Sequence, residues 1–455
     1  ASTIINHPKP SQRVPKALPE SILLDPWLTT ASLPQGQPLA SLIASLAPCL
    51  PKARTDAAQR QLEVLSTLLA NFAVNHPLTQ TASPPLAPQA IAVPMGKLKA
   101  TRYDRPAITG RQLAPVISAL EACGSIDLTS AIFKQRRTII APTAKLRELI
   151  AKHHVTAASI TRLPDEEIII LKRREVRKAT AIGDASNVDG GDGDEPFSIN
   201  PDSGTLIDYP DDCHEANALR NQLRAYNVFI SKSDIRIVGN IINPPPSFKP
   251  FKRFYASNGP VQFNLHGRLY AGQVGGWLQN LHKEQRHLIR INGESVVDLD
   301  FSNMHMRLAY REARCTPPDG VDLYAIKGLE AYRPALKICI SAMISRIGGL
   351  KKLPSKAREL LPKQWTGQSI AQAIREHHAP IAHLFGQDKG MQYMWQDSEI
   401  LMEVLTRLMH LGIPALPMHD GIMVQASKRE LALKIMQEVA MDLLGVVLPV
   451  EAKVY

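Results

Sequence analysis

The sequence predicts an α+β fold built from more than one domain. Three observations lead there. The chain has 455 residues, 44% of them hydrophobic, enough apolar material for two or three cores. Apolar residues recur at helical spacing, as in GRQLAPVISALEAC, where Leu113, Ile117 and Leu120 share one face. Short apolar runs bounded by charged or turn residues, among them EEIIILKRR and SVVDLD, read as strands. Aromatic residues are scarce at 5% and prolines number 35, so Pro-rich, loosely structured parts are expected as well.

Charge divides the chain into blocks. The formal net charge of +11 is the balance of +11 over residues 1–183, −10 over 184–216 and +10 over 217–455. A basic surplus of this size favours a polyanionic partner, nucleic acid before membrane. A basic soluble protein without such a partner is the alternative. The acidic block is rich in Gly and Pro and buries little apolar surface, so it reads as a linker or exposed loop. Its Asp-Gly repeats lack the spacing and closing Glu of an EF-hand. The five cysteines are widely spaced with no C-x-x-C, which argues against a disulfide framework or zinc site and fits a reducing cytoplasm. No apolar run is long enough to span a bilayer, and no signal-peptide pattern opens the sequence.

Residues 1–95 read as a Pro-rich, partly helical region with a helix from about Asp56 to Asn75. Residues 96–183 read as a basic α+β module: the GRQLAPVISALEAC helix ending at Gly124, the basic FKQRRTIIAPT, a second helix in AKLRELIAKHH, and the strand EEIIILKRR. That order fits a winged helix in which Lys134, Arg136, Arg137, Arg173 and Arg174 contact phosphates. An ordinary α+β domain with solvated charges fits it equally well.

The C-terminal block carries the chemistry. In SVVDLDFSNMHMRLAYREA an apolar strand presents Asp300 and runs into a helix with Met304, Leu308 and Arg311 at helical spacing. A carboxylate at a strand end is rigidly held and open to substrate; alone, it serves as readily as a helix N-cap. In GIPALPMHDGIMVQA two apolar runs flank His-Asp-Gly, a tight hairpin with Asp420 at its turn. Alone, such an Asp is a turn former. Together, two carboxylates from separate strands can hold two Mg²⁺ ions about 4 Å apart, one activating an attacking hydroxyl and one stabilising the leaving group. Between them, Arg333 and Lys337 stand four apart in EAYRPALKICISAMISRIGG and point the same way on a helix. Two cations on one face suit a triphosphate, or simply a solvated basic surface.

In this order the motifs resemble the family A DNA polymerases, the group of bacterial DNA polymerase I, and more distantly the phage-type single-subunit RNA polymerases. The likeness covers residues 266–455. GRLYAGQVGGWLQN is similar to the family's G-R-L…L-Q-N segment through Gly267, Arg268, Leu269, Leu278, Gln279 and Asn280. DFSNMHMR resembles the first metal motif through Asp300, Ser302 and Arg307. Arg333 and Lys337 match the R-x-x-x-K of the fingers helix. Gln392, shortly before Asp397, looks like the primer-contacting helix, and His419 with Asp420 matches the last motif.

The resemblance implies a right-hand polymerase. Its palm would be an antiparallel sheet over residues 217–455 carrying Asp300 and Asp420 as catalytic metal ligands, with helical fingers from about Asp319 to Phe385. It implies two Mg²⁺ ions, for which Mn²⁺ can substitute. It implies nucleoside triphosphates bound by Arg333, Lys337 and His305. It also implies a DNA primer–template, or an RNA primer, contacted by Arg268, Gln279, Asn280, Gln392 and His419. Four positions depart from the pattern. His305 replaces the steric-gate Glu, Ser341 replaces the sugar-stacking aromatic, Ser345-Arg346 replaces Tyr-Gly, and Gly421 replaces a Glu. The expected activity is therefore a DNA polymerase without a proofreading domain, with an RNA polymerase or primase as the alternative product class. A replication-initiation protein with a structural polymerase half is a third reading. Partners to expect are replication proteins of a plasmid or phage, and no membrane.

Overall fold

The computed structural model describes residues 21–32, 34–74, 90–96, 99–129, 137–174, 205–238, 250–256, 261–271, 279, 283–318, 320–418 and 420–453. The chain forms two compact units, one of residues 1–100 and 105–163, the other of 101–104 and 164–455. Both mix helices and strands, as the α+β expectation requires.

The first unit contains β1 (Ser21–Leu23), β2 (Leu28–Thr30), α1 (Gln37–Leu46), α2 (Thr55–Val74), β3 (Ala90–Val93), α3 (Gly110–Ala122), β4 (Ile126–Thr129), β5 (Thr138–Pro142), α4 (Ala144–Lys152) and β6 (Ile160–Arg162). Its sheet runs β1-β3-β5-β4, with β1 and β3 parallel, and β2 pairs separately with β6. Helix α2 forms because Leu65, Leu68, Leu69 and Phe72 make one apolar stripe, all buried. Helix α4 starts where the Thr143 hydroxyl accepts a hydrogen bond from the Leu146 amide. Inside the unit, buried Asp25 pairs with Arg162.

The second unit begins with β7 (Ile169–Arg173), β8 (Thr205–Leu206), α5 (His214–Ile230), β9 (Ile235–Ile237), β10 (Pro250–Ala256) and β11 (His266–Ala271). It continues with β12 (Ile289–Ile291), β13 (Glu294–Phe301), α6 (Met304–Glu312), α7 (Arg333–Ser345), α8 (Ser355–Leu360) and α9 (Gly367–His377). It closes with α10 (Gly390–His410), β14 (Ala415–Met418), β15 (Gly421–Gln425), α11 (Arg429–Leu444) and β16 (Val450–Lys453). One sheet runs β11-β10-β7-β8. The other runs β14-β15-β13-β12-β9, with β16 also paired to β13. All pairings in the second sheet are antiparallel. The long β13 sits at its centre, with Val296, Val297, Leu299 and Phe301 buried. Helix α10 supplies Ile400, Leu401, Val404 and Leu405 to the same core.

The expected 96–183 module is divided between the units. Helices α3 and α4 belong to the first, whereas the EEIIILKRR strand, β7, pairs in parallel with β10 of the second. Hydrogen bonding to a strand 83 residues away decides this, and local pattern does not report it. The winged-helix phosphate face is split accordingly. Arg137 lies in the first unit, Arg173 and Arg174 lie in the second with Arg174 paired to Asp388, and Lys134 and Arg136 lie outside the described residues. Part of the acidic stretch, expected as a linker or exposed loop, is folded onto the second unit. Residues 184–204 lie outside the described residues, but β8 pairs with β7, Tyr209 is buried, and Asp208 and Asp211 bind Arg102. Arg102 stacks on the Tyr209 ring, its guanidinium carbon 3.9 Å from the centroid, which is what pulls this acidic segment onto the unit. Among the described residues, no helix is long and apolar enough to cross a membrane.

Candidate active site

Strand alternation places Asp298 and Asp300 on one face of β13. Directly paired residues in antiparallel strands share that face. Asp300 pairs with Gly421 of β15 on one side and Glu451 of β16 on the other; Asp298 pairs with Met423 and Lys453. Asp420 occupies the turn between β14 and β15, one residue before the partner of Asp300. The chain leaves β13 through Asn303, whose φ of 57° is left-handed, and enters α6 at once. Asn tolerates that conformation better than most residues.

Gly421 has a steric reason to be glycine. A Cβ there would lie 2.5 Å from the Leu299 carbonyl oxygen and 3.2 Å from both the Asp300 Cα and Oδ1. The family's Glu at this position is thus excluded by the backbone of β13. Gly421→Ala is expected to destabilise the protein by about 1–3 kcal/mol, the usual cost of overpacking against atoms that cannot yield. Urea denaturation of the variant beside wild type measures it.

The electrostatics single out Asp300. Burial and the neighbouring Asp420 push its carboxyl up to about 8, with Asp298 adding to the effect and Lys453 opposing it. Lys453 Nζ stands 3.4 Å from Asp300 Oδ2. Asp298 is neutralised by buried Arg286 at 3.2 Å. Three oxygens of one turn, Asp300 Oδ1, Ser302 Oγ and Asn303 Oδ1, are buried without a hydrogen-bond partner. An unmet carboxylate oxygen with a hydroxyl and an amide oxygen beside it, next to a second carboxylate, fits a hard divalent cation such as Mg²⁺. Among the described residues, no three His, Cys, Asp or Glu side chains are grouped to hold a metal. Mg²⁺ does not require such a cage, since it takes one or two carboxylates and completes its shell with water and phosphate.

The two cations of α7 do share a face. Arg333 and Lys337 each stand 5.8 Å from the Tyr324 ring centroid. Asp322 bonds Arg333 and the Tyr324 amide. Burial pushes the Asp322 carboxyl up, but those bonds and the nearby Lys337 charge hold it below the ordinary value. Arg333 remains about half exposed, and the field of Glu451 reaches it, which relates this pair to the β16 edge beside Asp300.

The other expected site residues divide. His305, one turn into the chain after Asp300, is held by its Nε2 on Asp397 Oδ2 at 3.0 Å. Asp397 is buried and also accepts from Arg268 at 2.7 Å. Arg268, expected on nucleic acid, is 2% exposed, so its guanidinium serves inside the protein. Gln279 is likewise buried, donating to the carbonyls of Leu269 and Pro417 and tying β11 to β14. Gln392 is half-buried beside Lys389. Asn280 and His419 lie outside the described residues. Gly267 has a φ of 70°, and a Cβ there would meet Ser398 Oγ at 2.4 Å, so the Gly-Arg pair docks β11 closely on α10. Sequence reasoning missed Lys453, Glu451, Asp322 and Tyr324. None sits in a local motif.

No protein-family model matches the chain, and no curated protein sequence matches it. Among solved structures, the chain is similar to the POL domain of Pol1 from M. smegmatis, determined in complex with DNA primer-template and dNTP. The identity is 10% and the TM-score 0.31, and the match covers 52% of this chain and 50% of that one. The chain therefore spans about half the length of the structure it matches.

Proposed function

We propose that the second unit is a template-directed nucleotidyltransferase that adds dNTPs to a primer 3′ end. In this reading the β13-centred sheet is the palm and residues 319–385 are the fingers. The observation that carries it is the placing of Asp300, on β13, opposite Gly421 of β15 and so next to Asp420 in the β14–β15 turn, with Asp300 Oδ1, Ser302 Oγ and Asn303 Oδ1 buried and unpartnered there. Two half-buried carboxylates set this close repel one another, and a cation between them would relieve that repulsion.

Asp300 and Asp420 would hold Mg²⁺, with Ser302 and Asn303 lining the same turn. When bound, the ions would lower the pKa of the primer hydroxyl and neutralise the charge of the departing pyrophosphate. Arg333 and Lys337 would bind the triphosphate, Arg333 exchanging its bond to Asp322 for phosphate oxygens. His305, fixed by Asp397, would lie beside the sugar. Arg333→Ala and Lys337→Ala are each expected to raise KM for the nucleotide about tenfold, with a smaller effect on kcat, because both charges act on the bound triphosphate. Steady-state kinetics of single-nucleotide insertion measures this.

A second reading keeps the site and changes the product to RNA. It is supported by His305, which is held by buried Asp397 and, in the sequence resemblance, replaces the steric-gate Glu. The test is a primed and an unprimed template offered dNTPs or NTPs with Mg²⁺. Template-ordered extension of the primer with dNTPs supports a DNA polymerase. Products from NTPs without a primer support the second reading. No incorporation of either class, with Mg²⁺ or Mn²⁺, overturns both.

A further inference from the structure

Two cations meet the carboxylates of β13, and they are held in different ways. Arg286 Nη1 sits 3.2 Å from Asp298 Oδ2, and both side chains are less than a tenth exposed, so that pair is closed to solvent. Lys453 of β16 lies opposite Asp298 in the strand pairing, and so two residues along from Asp300 on the same face. A diagonal neighbour of this kind is too far for a short side chain but within reach of a lysine. Lys453 makes the reach: its Nζ is 3.4 Å from Asp300 Oδ2, while 40% of its side chain remains exposed. The other oxygen, Asp300 Oδ1, is buried and has no hydrogen-bond partner, as are Ser302 Oγ and Asn303 Oδ1. The two oxygens of Asp300 are therefore unequal, one facing a mobile ammonium and the other unmet.

We propose that Lys453 is a displaceable counter-ion that sets the affinity of Asp300 and Asp420 for a divalent cation, a role that rests on the reading of that pair as a metal site. Its ammonium offsets part of the repulsion between the two carboxylates. A divalent ion must share Asp300 with it, and like charges repel in proportion to the product of their charges. The lysine is the one that yields. It is held by a single long contact, and its flexible four-carbon stem lets the ammonium withdraw into water, where it is strongly hydrated. Arg286 cannot withdraw in this way, because leaving Asp298 would strand two buried charges. A merely structural role predicts the opposite sign. If Lys453 served to hold β16 on β13, its loss would loosen the strand pair and weaken metal uptake. Loss of a competing charge strengthens it.

The test is titration of Mn²⁺ into the full chain, with the free ion read by electron paramagnetic resonance. It compares wild type with Lys453→Met, Lys453→Arg and Asp300→Asn. Lys453→Met keeps most of the length and removes the charge, and it is expected to tighten Mn²⁺ binding about tenfold. Lys453→Arg keeps the charge and is expected to stay within about threefold of wild type. Uptake that Asp300→Asn weakens but Lys453→Met leaves unchanged or weaker would overturn the proposal and leave the metal site standing. Tightening by Lys453→Arg as large as by Lys453→Met would do the same. No uptake by either wild type or Lys453→Met, or uptake indifferent to Asp300→Asn, would overturn the metal site and the proposal together. Lys453→Gln removes the same charge and decides the question if the methionine variant does not fold.

Discussion

Asp300→Asn is expected to abolish nucleotide incorporation and, in the absence of metal, to stabilise the protein at and above neutral pH. The first effect follows from removing a charge that would hold both ions: a loss of several kcal/mol of transition-state stabilisation, on the order of 10³-fold or more in rate. The second follows from linkage. The folded-state carboxyl titrates at about 8 against an ordinary value of 3.8, raised by burial and by Asp420. Between those values the folded protein holds a proton that the unfolded chain has released. Stability of the metal-free protein therefore falls as pH rises from about 4 to about 8. Asn at position 300 cannot ionise, so the variant should show a flatter profile. Thermal melting across that range, with and without Mg²⁺, measures both curves. Metal should restore the wild type at high pH and leave the variant unchanged.

Asp397→Asn is expected to destabilise the second unit by about 3–5 kcal/mol, the cost of leaving a buried charge without its partner. The side chains of Arg268 and Asp397 are 3% and 1% exposed, so little water can replace the lost carboxylate. The same change frees His305, whose Nε2 has no other acceptor among the described contacts. Guanidinium denaturation measures the first effect. Discrimination between dNTP and NTP by whatever folded variant remains measures the second. A surface ion pair would give less than about 1 kcal/mol, and that result would contradict the buried network.

The readable part of the site was the part written locally. Asp300 and Asp420 stand at a strand end and a hairpin turn, each bounded by apolar runs, and the strands formed there. Arg333 and Lys337 were four apart on a helix, and the helix delivered both to Tyr324. What stayed hidden depends on pairing over distance. Lys453 and Glu451 reach Asp300 only because β16 joins the edge of β13, and nothing in VEAK announces that neighbour. The resemblance implies that Arg268 contacts nucleic acid; its burial is decided by Asp397, on a helix far along the chain, which no local pattern shows. From sequence the second module closes at residue 183, whereas the units divide near 163, because β7 takes its parallel partner from β10. The departure at Gly421, by contrast, acquires its reason from the Leu299 carbonyl, which sequence cannot locate.

The central claim is that Asp300 and Asp420 act together as one divalent-metal site. Titration of Mn²⁺ into the purified chain, followed by electron paramagnetic resonance of the free ion, tests it most directly. Wild type should take up Mn²⁺, and each of Asp300→Asn and Asp420→Asn should weaken uptake at least about tenfold, since Mn²⁺ and Mg²⁺ share a preference for carboxylate oxygen. Uptake unchanged in both variants would contradict the account.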